Sequence, residues 1–127
     1  MREVSVRGVS QSGLAMDVIV GSHVVRIDEP VESGGTDTGP TPREMLLAAL
    51  GACEAITLRM YATRKGWALR DAKVRLTAST VEGVYVIKRQ LTLEGDLDDE
   101  QRARLQEIAN RCPVQKVITG DVRVEDV

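Results

Sequence analysis

Residues Thr41–Lys65, TPREMLLAALGACEAITLRMYATRK, decide how the rest of this chain folds. Thr41 suits a helix N-cap, Pro42 suits the first helical position, and Glu44 follows Thr41 by three residues. Together they form the pattern of a capping box with a helix-starting proline. Gly66 stops the helix, and Arg64 and Lys65 fall in its last turn, where cations complement the dipole. A helix over 42–65 would be about 36 Å long, at ~1.5 Å per residue. Apolar residues lie nearly all round it (Met45, Leu46, Leu47, Ala48, Ala49, Leu50, Ala52, Ile56, Leu58, Met60), which predicts burial on more than one side. Cys53 sits at its middle, beside the charged Glu54.

The remaining composition narrows the class. A chain of 127 residues is expected to form one domain, 1–127, with a real core. It is 43% apolar but only 2% aromatic, with no Phe, so Val, Leu, Ile, Ala and Met must build that core. A net charge of −2 with both signs scattered gives no footprint for nucleic acid or an anionic membrane. The N-terminus carries no charged-then-apolar signal, and no apolar run is read as approaching membrane-spanning length. The expectation is a cytoplasmic protein with neither nucleic-acid nor membrane partner. In that reducing compartment two cysteines are not expected to form a permanent structural disulfide. One His and two Cys also argue against a zinc site, and no cofactor motif is present.

Outward from the helix, residues 3–9 alternate valine with polar residues, as a half-buried strand does. Leu14–Val20 and His23–Asp28 follow as strands, joined by the glycine-first turn Gly21-Ser22. Residues 29–40 hold Gly-Gly, two prolines and no periodicity. They form a long loop, either a plain crossover or the wall of a pocket at the helix N-terminus. After the helix, Ala72–Thr80 and Val84–Glu94 read as strands around a Glu82-Gly83 turn. The broken alternation at Ile87 calls for a bulge or for burial on both sides. Asp98 caps a second helix whose apolar stripe is Leu105, Ile108, Ala109 and Cys112. Pro113 can begin a short third helix, ended by Gly120, and Asp121–Glu125 alternates like a last strand. The order βββ-α-ββ-α-(α)-β predicts an α+β fold, mostly antiparallel sheet around a long buried central helix. Such an apolar helix favours oligomerisation through it.

Three groups could carry chemistry. Cys53 and Cys112 both take inward helical positions, and a cysteine at a helix N-terminus tends towards the thiolate. Free cysteines also serve as small buried hydrophobes, so spacing alone leaves a redox pair and inert packing both open. Glu44 completes the capping box. Nine residues from Cys53, it stands roughly 13 Å along the helix and about 180° around it, so it cannot serve the thiol of its own chain. A second copy crossing antiparallel at Ala48-Ala49, flanked by Gly51 and Ala52, could bring it there. Arg26, Arg43, Arg59 and Arg64 could hold a carboxylate or a thiolate, although arginine is mostly solvated.

GPTPREMLLAALGAC, followed by ANRCPV around Cys112, resembles the OsmC/Ohr family of peroxide-reducing proteins, and the element order fits over essentially the whole chain. The closer likeness is to the OsmC-like branch. Here Arg43 follows the helix-opening proline with Glu44 one place later, and Gln11-Ser12 stand where the organic-hydroperoxide branch has an arginine. The resemblance implies an intertwined homodimer with two crossed central helices and active sites at the subunit interface. It implies that Cys53 attacks a small hydroperoxide and Cys112 resolves, within disulfide range of it, and that an external dithiol reductant restores both. Glu44 of the partner chain would assist. A non-catalytic dimer of the same fold, binding a small apolar ligand, is the alternative.

Overall fold

The computed structural model describes all 127 residues. It has two compact units, Met1–Leu46 and Leu47–Val127, with the boundary inside the central helix. In the first, β1 (Val4–Gly8), β2 (Met16–Val20) and β3 (His23–Ile27) form an antiparallel meander in that order. Val6, Val18 and Val25 stand in register, and Gly21 takes a positive φ of 60° to make the expected turn. Asp17 and Arg26 face each other across β2 and β3 and form an ion pair of 2.8 Å.

The long loop is organised by a carboxylate. Asp28 is buried and accepts hydrogen bonds from the hydroxyls of Thr36 and Thr38, 2.7 Å each, and from the N–H groups of Glu29, Thr36 and Thr38. The Thr38 and Thr36 hydroxyls, with the N–H groups of Glu29 and Thr38, hold its carboxyl well below the usual carboxylate range against the opposing effect of burial. Gly35 and Gly39 pass so close to the Glu29 and Arg26 carbonyls that a Cβ at either place would overlap them. The loop is therefore folded on itself, with one short 3-10 turn at Val31–Ser33.

The central helix, α1, spans Pro42–Lys65 as expected. Its capping box is formed: the Thr41 N–H donates to Glu44 Oε1 at 2.8 Å and the Glu44 N–H to Thr41 Oγ1 at 3.2 Å. By length and composition α1 could also span a membrane, a test that the core helix of a globular protein passes too. That corrects the reading that no apolar run approaches such length. Its stripe Leu50, Glu54, Leu58 and Ala62 is buried against protein.

In the second unit, β4 (Ala68–Val81) and β5 (Val84–Asp96) form one long antiparallel hairpin. Glu82 and Gly83 turn it, both at positive φ. The pairing is regular at Ile87, where Val86 and Ile87 are both partly buried, so two-sided burial explains the broken alternation. The irregularity lies instead between Leu69 and Asp71 in β4. Gly51 brings α1 onto β4: a Cβ there would come 2.7 Å from Leu76 Cδ1. Helix α2 (Asp99–Ala109) starts with a complete capping box from Asp98 and Gln101, and α3 (Pro113–Ile118) follows. Leu58, Leu105, Ile108 and Ala109 form the core, with Tyr61, Trp67, Leu91 and Leu93 packed around it.

The expected strand at Asp121–Glu125 is absent, for residues 121–127 take no regular structure. Alternation supplies a face, but a strand exists only by pairing its backbone, and residues 121–125 pair with no strand. The architecture is α+β with antiparallel sheets and a long central helix.

Candidate active site: two thiols and a buried ion pair

Cys53 projects from the middle of α1, half-buried, and its carbonyl accepts the Thr57 hydroxyl at 2.8 Å. Cys112 sits at the elbow between α2 and α3. It is fully buried and is the N-cap of α3, with Pro113 in the first position and its sulfur accepting the Gln115 N–H at 3.4 Å. The two thiols are neighbours, close enough for Cys53 to act on the titration of Cys112. Burial pushes the Cys112 thiol up, the Gln115 N–H pulls it down, and Cys53 pushes it up again. The fold thus brings together two thiols that lie 59 residues apart.

Next to Cys53 begins a buried pair that the sequence shows only in part. Glu54, the residue after Cys53, is fully buried. Its Oε1 accepts Arg89 Nη1 at 2.7 Å, while its Oε2 has no hydrogen-bond partner. Arg89 spreads its fork further: Nη1 also donates to Gln115 Oε1 at 3.2 Å and Nη2 to Asn110 Oδ1 at 3.0 Å. Asn110 precedes Cys112 by two residues and caps the end of α2; Gln115 follows it by three. Both charges interrupt apolar rows. Arg89 stands among Ile87, Leu91 and Leu93 on one face of β5, opposite Leu76, and Glu54 lies between Leu50 and Leu58. A charged residue in the apolar row of each element was the signal available for Arg89. For Asn110 and Gln115 the sequence held none.

The other candidates lie elsewhere. Glu44 is at the exposed first turn of α1, engaged with Thr41. Arg26 is paired with Asp17, and Arg59 donates to the Arg70 carbonyl at 3.0 Å with Asp71 3.9 Å away. Arg64 is in the exposed last turn of α1.

Residues 35–125 match the family described as OsmC-like protein. Among solved structures, an OsmC like protein from Mycoplasma pneumoniae is 19% identical, with a TM-score of 0.77 over 94% of this chain and 88% of its own. The organic hydroperoxide resistance protein OhrB of Bacillus subtilis is 24% identical, with a TM-score of 0.63 over 91% and 88%. The uncharacterized protein YmaD of Bacillus subtilis (strain 168) is 25% identical over 116 residues, 83% of this chain and 77% of that protein. The two structures carry the fold, and the family match spans both cysteines, all of α1, the β4–β5 hairpin, α2 and α3. On that match the chain belongs to the OsmC-like protein family.

Proposed function

We propose that this protein is a thiol-dependent hydroperoxide reductase working through Cys53 and Cys112 as a homodimer. The nearness of the two thiols is the observation that carries the reading. The Cys53 sulfur gives two electrons to the O–O bond of a hydroperoxide and keeps one oxygen as a sulfenic acid; the alcohol leaves with a proton. The Cys112 thiolate attacks that sulfenic sulfur, which expels water and leaves a Cys53–Cys112 disulfide. An external dithiol then takes over the disulfide by two exchanges and returns both thiols. Further support comes from OhrB of Bacillus subtilis, named an organic hydroperoxide resistance protein, which shares the fold.

The dimer is supported by α1, which leaves Ile56 and Met60 about 60% exposed on a helix already buried along its other side (59% and 61%). A second copy of the same helix, crossing over Ala48, Ala49 and Ala52, would cover that face, since small residues there permit close approach. Sedimentation at micromolar concentration is expected to give a dimer.

The activity test counts thiols. One equivalent of cumene hydroperoxide is expected to consume both thiols per chain and yield an intrachain disulfide by mass spectrometry. If both remain free after hours in excess peroxide, the reductase reading falls, and a non-catalytic dimer binding a small apolar ligand takes its place.

A further inference from the structure

The Glu54–Arg89 pair has a cost that its contacts do not offset. Glu54 is fully buried in a row of apolar residues, and one of its two oxygens bonds nothing. An unsatisfied buried carboxylate oxygen is expensive, and a buried ion pair can often be exchanged for apolar side chains without loss of stability. Stability therefore does not account for this arrangement. What the pair does achieve is placement. Glu54 is adjacent to Cys53 on α1, and it holds one end of Arg89. The same Nη1 also reaches Gln115, and Nη2 reaches Asn110, one on each side of Cys112. The N–H of that same Gln115 donates to the Cys112 sulfur. A rigid planar fork can hold three acceptors at fixed angles, which a lysine ammonium on a flexible stem cannot.

We propose that Arg89, anchored by Glu54, is a positioning residue that clamps the α2–α3 elbow on both sides of Cys112 and so holds its sulfur against Cys53. The inference rests on the reductase reading in taking the two thiols as a redox pair. Its effect is on the effective concentration of one thiol at the other, the quantity that sets how readily their disulfide closes. Without the clamp the elbow is free to draw Cys112 away, and the dithiol form gains.

The test uses glutathione redox buffers, which need no peroxide chemistry. Protein dithiol and oxidised glutathione exchange to protein disulfide and two reduced glutathiones, and the equilibrium constant reports the effective concentration directly. The variants are Arg89→Lys, which keeps a charge for Glu54 but loses the fork, and Asn110→Ala/Gln115→Ala, which removes the two arms' acceptors and leaves the ion pair intact. Each is expected to lower the equilibrium constant for disulfide formation by about tenfold or more, ~30 mV for this two-electron couple. The unfolding midpoint of the double alanine variant should stay near that of the parent, so that loss of fold does not explain the shift. If Arg89→Lys does not fold, the double variant carries the test alone. Equilibrium constants within about twofold of the parent in the folded variants would overturn the clamp, as would a parent that forms no Cys53–Cys112 disulfide even in strongly oxidising buffer. A parent that forms the disulfide in glutathione yet ignores hydroperoxide would remove the reductase reading and leave the clamp standing.

Discussion

Arg89 Nη1 lies 2.7 Å from Oε1 of Glu54, and the two side chains are unequally hidden: Arg89 is 23% exposed and Glu54 not at all. That inequality predicts an asymmetric response to mutation. Arg89→Met strands a fully buried carboxylate, whereas Glu54→Leu leaves a guanidinium that keeps Asn110 and Gln115 and can reach water. Arg89→Met is expected to cost about 3 kcal/mol or more, as broken buried pairs do, and Glu54→Leu distinctly less. The double variant should be more stable than Arg89→Met alone. Urea unfolding of the four proteins measures this, and equal costs for the two single changes would contradict it.

A second prediction concerns the timing of the thiol chemistry. Burial raises the Cys112 thiol, so at neutral pH this group is largely protonated, while the attack on a sulfenic acid needs the thiolate. Disulfide closure should therefore accelerate as pH rises towards the raised value, by about tenfold per unit at most. Dimedone added with the hydroperoxide should trap more Cys53 sulfenic acid at pH 7 than at pH 9, read by mass spectrometry. Equal capture at both would mean that Cys112 does not limit closure.

The contrast between α1 and the elbow shows what the sequence could disclose. Thr41, Pro42, Glu44 and Gly66 act on backbone groups within a few residues, so the bounds of α1 followed from local chemistry. The nearness of Cys53 to Cys112 depends on how α1, the hairpin and α3 pack; their inward helical placement allowed it, and the family likeness pointed to it. Arg89 was hidden for a related reason. Arginine on a strand is usually solvated, and its value here comes from three acceptors contributed by α1, α2 and α3. The strand expected at Asp121–Glu125 is absent, because alternation is local while the backbone pairing that makes a strand is not.

The loop pinned by Asp28 gives a third prediction, with a definite sign. Its carboxyl titrates far below an unfolded aspartate, chiefly through the Thr38 and Thr36 hydroxyls. A depressed folded value means a contribution fully present above the unfolded pKa, about 3.9, and lost as pH falls below it towards the folded one. Asp28→Asn should thus unfold more easily than the parent at pH 7, with the gap narrowing as pH is lowered through about 4 towards 2. Thr36→Val/Thr38→Val should mimic it at neutral pH. Thermal midpoints across that range decide the matter; a gap that is independent of pH would show that the charge of Asp28 is not what holds the loop.

The last prediction is that the active site is composite, with Glu44 of one chain serving Cys53 of the other. Along α1 the two are nine residues apart, roughly 13 Å of rise and about half a turn, so no side chain can join them within one chain. Two α1 helices crossing antiparallel near Ala48-Ala49 would place each Glu44 beside the partner's thiol. Glu44→Gln can still close the box with Thr41, since a capping box accepts Gln at this place, so stability should change little while peroxide reactivity falls. The decisive sample is a hybrid of Glu44→Gln and Cys53→Ser chains, each inactive alone. In a composite arrangement the intact Cys53 of the first chain meets the intact Glu44 of the second, and one full site survives in every hybrid dimer. In an arrangement built within one chain, both sites of the hybrid are defective. Peroxide consumption should therefore return when the two variants are mixed under conditions of subunit exchange, towards half the rate of the unsubstituted dimer per hybrid. No recovery, with exchange confirmed by native mass spectrometry, would rule out the interchain arrangement.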